Sequence, residues 1–166
     1  MSYPLETRRI VANQARTLLK ATEIDAMEPQ CSIHPLNERA VRLKRSLSDM
    51  AGLTQFGFHL ITLQPGHEST EYHRHLYEEE CVYILSGNGE AIIDDQVHEV
   101  GPGDFMGFAR GGAAHTLLNT GHAPLVLIVA GQRLEQDVCD YPHKGKRLYA
   151  AGTHKVFVDL AKESED

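Results

Sequence analysis

From Phe56 onward the chain alternates short apolar-rich runs with clusters of turn-forming residues. FGFHLITL gives way to QPGHE, ECVYIL to SGNG, EAII to DDQ, VHEV to GPGD, FMGF to ARGG, AHTLLN to TGHA and PLVLIVA to GQ. Each run has the length of a strand, and Gly, Pro, Asn and Asp supply the backbone conformations that turns require. No run of helical length interrupts the series, so the crossovers of a parallel sheet are not expected. The pattern predicts an antiparallel sandwich or barrel.

The flanks are less regular. Ile10, Val11, Ala15, Leu18 and Leu19 approximate helical spacing and predict a short helix near the start. MEPQCSIHPLNE carries two prolines and reads as an extended arm. In RAVRLKRSL basic and apolar residues alternate loosely, which reads as a solvated strand face rather than a binding patch. After the last strong strand, LEQDVCDYPHKGKRLYAAGTHKVFVDL is expected to fold back over the barrel, with KVFVDL as a closing strand and AKESED frayed. The expected organisation is one domain over 1–166: an arm and first strands over 1–50, a barrel core over 51–131, and an extension over 132–166.

Size and charge narrow the function classes. At 166 residues one domain can bury roughly 70% of its unfolded surface, so a core needs no staples. No apolar run approaches the ~20 residues that span a bilayer. Charged residues interrupt MSYPLETRRIVANQARTLL where a signal peptide needs a continuous apolar stretch, so a soluble cytoplasmic protein is expected. A net charge of −7 argues against nucleic-acid binding, although a local basic pocket would still accept a small anion. Cys31, Cys81 and Cys139 lie far apart without a CxxC pair, which argues against a disulfide framework and a thiolate zinc site.

The chemistry concentrates in GHESTEYHRHLYEEECVYILSG. Alternate side chains of a strand share a face, so His73 and His75 point together and Arg74 opposes them. Two imidazoles at that spacing can both reach one ion at ~2.0–2.1 Å. LYEE would turn the chain, and Glu80 would begin the return strand beside them with a carboxylate oxygen. GDFMGFARGGAAHTLLN brings His115 in on another strand. Each feature alone is ordinary: an HxH pair on a surface, an acidic turn, a core histidine. Together, in a β-rich chain, they point to a divalent metal site. Glu78 and Glu79 rival Glu80. An inward Glu80 shares its face with Val82, Ile84 and Ser86, whereas an inward Glu79 would turn Cys81, Tyr83 and Leu85 inward.

These residues resemble the two motifs of the cupin superfamily. Gly66, His73, His75, Glu80 and Gly87 match the first, and the distance from Glu80 to Gly87 favours Glu80 over its rivals. Gly103, Gly112, His115 and Asn119 match the second. The resemblance runs from Phe58 to Val129 and implies an all-β double-stranded β-helix, a jelly-roll barrel with an N-terminal arm and a C-terminal tail. It also implies one metal ion inside the barrel on His73, His75, Glu80 and His115. The chain departs from the pattern in two turns. Gly66 to His73 is one residue longer than usual, and Arg110 stands where the family has proline. Arg110 is expected to face solvent, the alternative being that it reaches an anionic substrate at the rim.

Three imidazoles and a carboxylate suit Fe, Mn, Ni, Co or Zn and leave open positions for a ligand. The expected function is that of a small-molecule enzyme on an oxygen-rich metabolite, either a sugar or sugar-phosphate isomerase or a dioxygenase. The alternative is a non-catalytic metal-dependent sensor or binding barrel. Lys144, Lys146 and Arg147 would meet a phosphate or form a solvated loop. The loose candidates for a general base are Tyr83 and His59, and His59 is expected to be packed. Cys81, Tyr83 and Leu85 would form an outer apolar row, and with the resemblance this predicts a homodimer.

Overall fold

Thirteen strands and two short helices make up residues 15–160, the part of the chain that the computed structural model describes. The strands are β1 (Gln30–His34), β2 (Asn37–Ser46), β3 (Phe56–Leu63), β4 (Arg74–His75), β5 (Glu80–Ser86), β6 (Gly89–Ile93) and β7 (Gln96–Val100). They continue with β8 (Phe105–Phe108), β9 (His115–Leu118), β10 (Leu125–Gln132), β11 (Gln136–Tyr141), β12 (Lys146–Ala151) and β13 (His154–Asp159). The helices are α1 (Ala21–Asp25) and α2 (Leu47–Met50). Every strand expected from Phe56 to Gln132 is present. Asp94 and Asp95, both at positive φ, make the tight turn of the β6–β7 hairpin, as short acidic residues can.

A six-stranded sheet, β1-β2-β3-β10-β5-β8, lies over two smaller ones, β13-β12-β11-β4 and β7-β6-β9. All the strand pairs are antiparallel. A single bridge between His73 and His115 joins the two smaller sheets into the opposing wall. This is the jelly-roll barrel. Alternation decides what fills it: Ile61 and Leu63 of β3, Ile84 of β5 and Leu127 of β10 point inward and meet Ala91 of β6 and Leu117 of β9. Each fully buried aliphatic side chain contributes ~1.5–3 kcal/mol from its removal from water. Buried Asn119 locks one end, donating from Nδ2 to Leu63 O at 2.8 Å and Ala123 O at 2.9 Å.

The flanks differ from expectation in places. The arm is not free: Cys31 to His34 pair with Leu43 to Asn37, so β1 and β2 form a hairpin on the edge of the large sheet. Strand β2 is not a solvated face, because Ala40 is buried and Arg42 and Lys44 line the barrel cavity. The C-terminal extension does fold back, with two strands (β11 and β12) before the closing β13. Of the helix expected near the start, Ile10 and Val11 lie outside the described residues, whereas Ala15, Leu18 and Leu19 are not helical and the helical turn α1 follows them. Among the described residues no helix is long and apolar enough to cross a membrane.

Candidate metal centre

The inward faces of the three sheets enclose a cavity of about 600 Å³. His73 and His75 reach it from the short segment around β4, Glu80 from the first position of β5, and His115 from the first position of β9. Strand β10 passes directly opposite Glu80 with Gly131, where a Cβ would lie 2.7 Å from Glu79 O. A side chain there would force the strands apart over the carboxylate.

The hydrogen bonds set the orientation of each imidazole. His73 Nδ1 donates to Glu71 O at 3.0 Å, His115 Nδ1 to Ala113 O at 3.3 Å, and His75 Nδ1 to Asp137 Oδ2 at 2.5 Å. With all three Nδ1–H groups turned outward, the three Nε2 atoms face the cavity. His73 Nε2 lies 3.2 Å from His75 Nε2, and His115 Nε2 lies 3.2 Å from Glu80 Oε1. Phe108 stacks on the His115 ring at 3.4 Å between centroids and fixes its plane.

At 3.2 Å the His73 and His75 Nε2 atoms must either share a proton or hold a cation between them. The site therefore suits a cation. The ligand atoms of His73, Glu80 and His115 lie within 4.8 Å of one another, a spread that a first-row ion with ~2.1 Å bonds closes with small movements. The charge states of His73 and Glu80 agree with this. Burial holds His73 down to about 3, so it is neutral. Burial alone would raise Glu80, but the His115 hydrogen bond and the neighbouring imidazoles bring it down to about 2, so it is ionised. His75 is pushed down by burial but lifted on balance to about 11 by its hydrogen bond to Asp137, so without an ion it is protonated and would give up its Nε2 proton on binding one. Neutral imidazoles and an ionised carboxylate are the forms that bind metals.

The structure thus brings His73, Glu80 and His115 into one group and sets His75 against His73. Of the rivals, Glu79 is exposed, and Glu78 sits on the cavity wall accepting the Leu134 N–H at 2.7 Å. Tyr83 is 42% exposed on the outer face, away from the cavity, whereas His59 lines it. Arg110 is exposed, with its guanidinium 5.8 Å from the centre of the Tyr77 ring. The basic residues of the C-terminal extension are paired: Lys144 with Glu71, Lys146 with Asp159, Arg147 with Asp140.

Sequence reasoning passed over β11, whose Asp137, Cys139 and Tyr141 line the cavity. Asp137 orients His75 and also accepts the Tyr77 and Glu78 N–H groups at 3.3 Å. Cys139 Sγ lies 3.8 Å from His75 Nδ1, and with His73 and His75 it forms a second set of convergent ligand atoms. Glu78 and Asp137 form a third with His75. The signal was present as the period-two spacing of Asp137, Cys139 and Tyr141.

Residues 59–131 match the family model of the cupin domain. A crystal structure named "Putative sugar phosphate isomerase" from Acidithiobacillus ferrooxidans is 45% identical, with 92% of this chain and 99% of that one covered and a TM-score of 0.85. A sugar phosphate isomerase from a cupin superfamily, from Silicibacter pomeroyi, is 27% identical over 84% of this chain and 94% of that one, with a TM-score of 0.76. A predicted oxalate decarboxylase from Thermotoga maritima, 22% identical over 67% of this chain and 96% of that one, shares the fold at a TM-score of 0.57. No curated protein sequence matches the chain. With an inward HxH pair, Glu80 and His115 on a jelly-roll barrel and a relative matched almost end to end, the chain belongs to the cupin superfamily.

Proposed function

We propose that His73, His75, Glu80 and His115 hold one divalent ion, among Fe, Mn, Ni, Co and Zn, and that the protein is a metal-dependent isomerase of a small phosphorylated sugar. One observation carries the reading: three outward Nδ1–H groups leave three Nε2 atoms and a carboxylate converging in one cavity. The names of the 45% and 27% identical structures support the substrate class. When bound, the ion would polarise neighbouring carbonyl and hydroxyl oxygens of the sugar.

The chain's own residues supply the rest. Asp137 holds the His75 tautomer, and Phe108 holds the His115 ring. Glu78, on the cavity wall with its carboxyl raised by burial, is suited to take a proton from carbon and return it to the neighbouring carbon. The outer row of Tyr83 and Leu85, with Phe105 paired across from Tyr83, belongs in this proposal to a homodimer interface. A monomer mass by light scattering at micromolar concentration would remove that part.

The test is the metal content of protein purified without chelator or affinity metal, beside His73→Ala and Glu80→Gln. About one ion per chain is expected in the wild type and nearly none in either variant. Metal-loaded protein should then interconvert an aldose phosphate and its ketose under strict anaerobiosis in D2O, with deuterium entering the product. Glu78→Gln should keep the metal and lose the exchange. Turnover that requires oxygen would replace isomerisation with dioxygenation, and tight sugar binding without turnover would make the barrel a sensor.

A further inference from the structure

The cavity has a second polar wall that the metal ligands do not use. Arg42 and Lys44 of β2, His59 of β3 and Arg133, just beyond β10, all line it. The basic residues Lys144, Lys146 and Arg147 of the C-terminal extension are neutralised by carboxylates. In contrast, neither Arg42 nor Lys44 has a carboxylate oxygen within 4 Å among the described residues; Arg42 Nε donates only to the Ser32 hydroxyl at 3.3 Å. Arg133 pairs with Asp49 through Nη1, which leaves Nη2 donating to Ser48 Oγ at 3.2 Å and His59 Nε2 at 3.4 Å. Because His59 Nε2 accepts, its proton sits on Nδ1, and this buried nitrogen has no partner.

Space is kept for the group. A Cβ on Gly57 would lie 3.0 Å from His59 Nε2 and 3.2 Å from Arg133 Nε, so glycine there lets these side chains sit against the strand. The crowding is electrostatically unfavourable without a ligand. Burial lowers Lys44, with Arg42 adding to it, and burial followed by Lys44 and Arg133 brings His59 down to about 4. In a chain of net charge −7, partly buried cations facing one another, with Asp49 paired to Arg133 but no carboxylate within 4 Å of Arg42 or Lys44 among the described residues, indicate an anion that belongs between them.

We propose that Arg42, Lys44, Arg133 and His59 bind the phosphomonoester end of the substrate, while its other end reaches the metal ligands. This rests on the phosphorylated-sugar reading above. The register sets the reach. His59 stands beside Val129, which stands beside Val82, and Glu80 is two residues before Val82. With ~4.8 Å between strands and ~3.4 Å per residue, the two backbones lie roughly 12 Å apart, with both side chains pointing inward. That span, in a cavity of about 600 Å³, suits one extended open-chain monosaccharide phosphate. The phosphate dianion would take two or more charge-assisted hydrogen bonds from Arg42, Lys44 and Arg133, and a turn of the His59 ring would bring its buried, unpartnered Nδ1–H to the same anion.

The test titrates inorganic phosphate into the wild type, Arg42→Gln, Lys44→Gln, Gly57→Ala and His73→Ala, followed by 31P NMR. Lys146→Gln serves as the control because Lys146 pairs with Asp159 outside the cavity. Saturable wild-type binding should weaken about tenfold in Arg42→Gln and Lys44→Gln. Gly57→Ala should weaken it without removing a charge, and Lys146→Gln and His73→Ala should leave it unchanged. Wild-type affinity in Arg42→Gln, Lys44→Gln and Gly57→Ala, or no saturable binding to the wild type, would overturn the assignment. Loss in His73→Ala alone would move the phosphate to the metal and overturn the subsite while sparing the metal reading. Failure of metal binding with the expected phosphate pattern would do the reverse. In metal-loaded protein an open-chain polyol phosphate should bind more tightly than inorganic phosphate; equal affinity would overturn the link to substrate.

Discussion

The same strands build two unlike ends of one barrel. Strand β5 begins with Glu80 in the polar cavity and reaches fully buried Ile84 four positions later. Strand β9 carries His115 and then Leu117 on the same face, and β3 runs from His59 to Leu63. One end is dry and packed with aliphatic side chains; the other is lined with histidines, carboxylates and cations. The difference separates two tasks. The dry end supplies the burial that holds the strands in register, so the wet end can keep polar groups that cost stability but bind a ligand.

That division is open to attack, first at the dry end. Leu125→Ala should cost 2–5 kcal/mol, read by urea unfolding, because Leu125 is completely buried and its loss leaves a cavity. Below its unfolding transition the variant should still bind a full complement of metal; loss of metal in step with stability would mean the two ends are not separable.

Next in size is the support behind the ligands. Asp137→Asn should weaken metal affinity 10–100-fold, about 1.4–2.7 kcal/mol, by removing the carboxylate that orients His75. A metal titration against a competing chelator would measure it. An unchanged affinity would mean that Asp137 serves the fold rather than the site.

Acid should act on the wet end. His34 and His59 are both lowered to about 4, mainly by burial. The unfolded chain, with histidines near ~6.5, therefore binds more protons than the folded one between those values. Stability is full above pH ~6.5 and falls as the pH drops towards 4. The expected loss is about 1 kcal/mol per group from pH 7 to 5 after discounting for partial exposure. His34→Gln should flatten the dependence measured by unfolding at the two pH values. The smallest effect belongs to the surface: Arg110→Ala, which removes only an exposed contact over Tyr77, should stay within about 0.5 kcal/mol.

How much was legible in the sequence follows the same division. Where inward residues are apolar, as in Phe56–Leu63 or Leu125–Gln132, alternation and flanking glycines revealed the strands. In β11 the inward residues include Asp137 and Cys139, so a rule equating inside with apolar passed over the strand and the partner of His75. For the same reason the cations of β2 read as solvent-facing, although Arg42 and Lys44 point into the cavity. The convergence of the histidines and Glu80 was readable because their spacing is a signal independent of hydrophobicity. A phosphate wall assembled from β2, β3 and the end of β10 leaves no such local spacing.

The bridge between His73 and His115 has a consequence beyond the site. His115 belongs to the three-stranded sheet, His75 pairs with Cys139 in the four-stranded sheet, and Glu80 opens a strand of the six-stranded sheet. The ion proposed for these residues would stitch all three sheets at one point. Starving a cell of that metal would then shorten the protein's lifetime as well as silence it, because the unstitched seam around a two-residue strand is the natural place for a protease to begin.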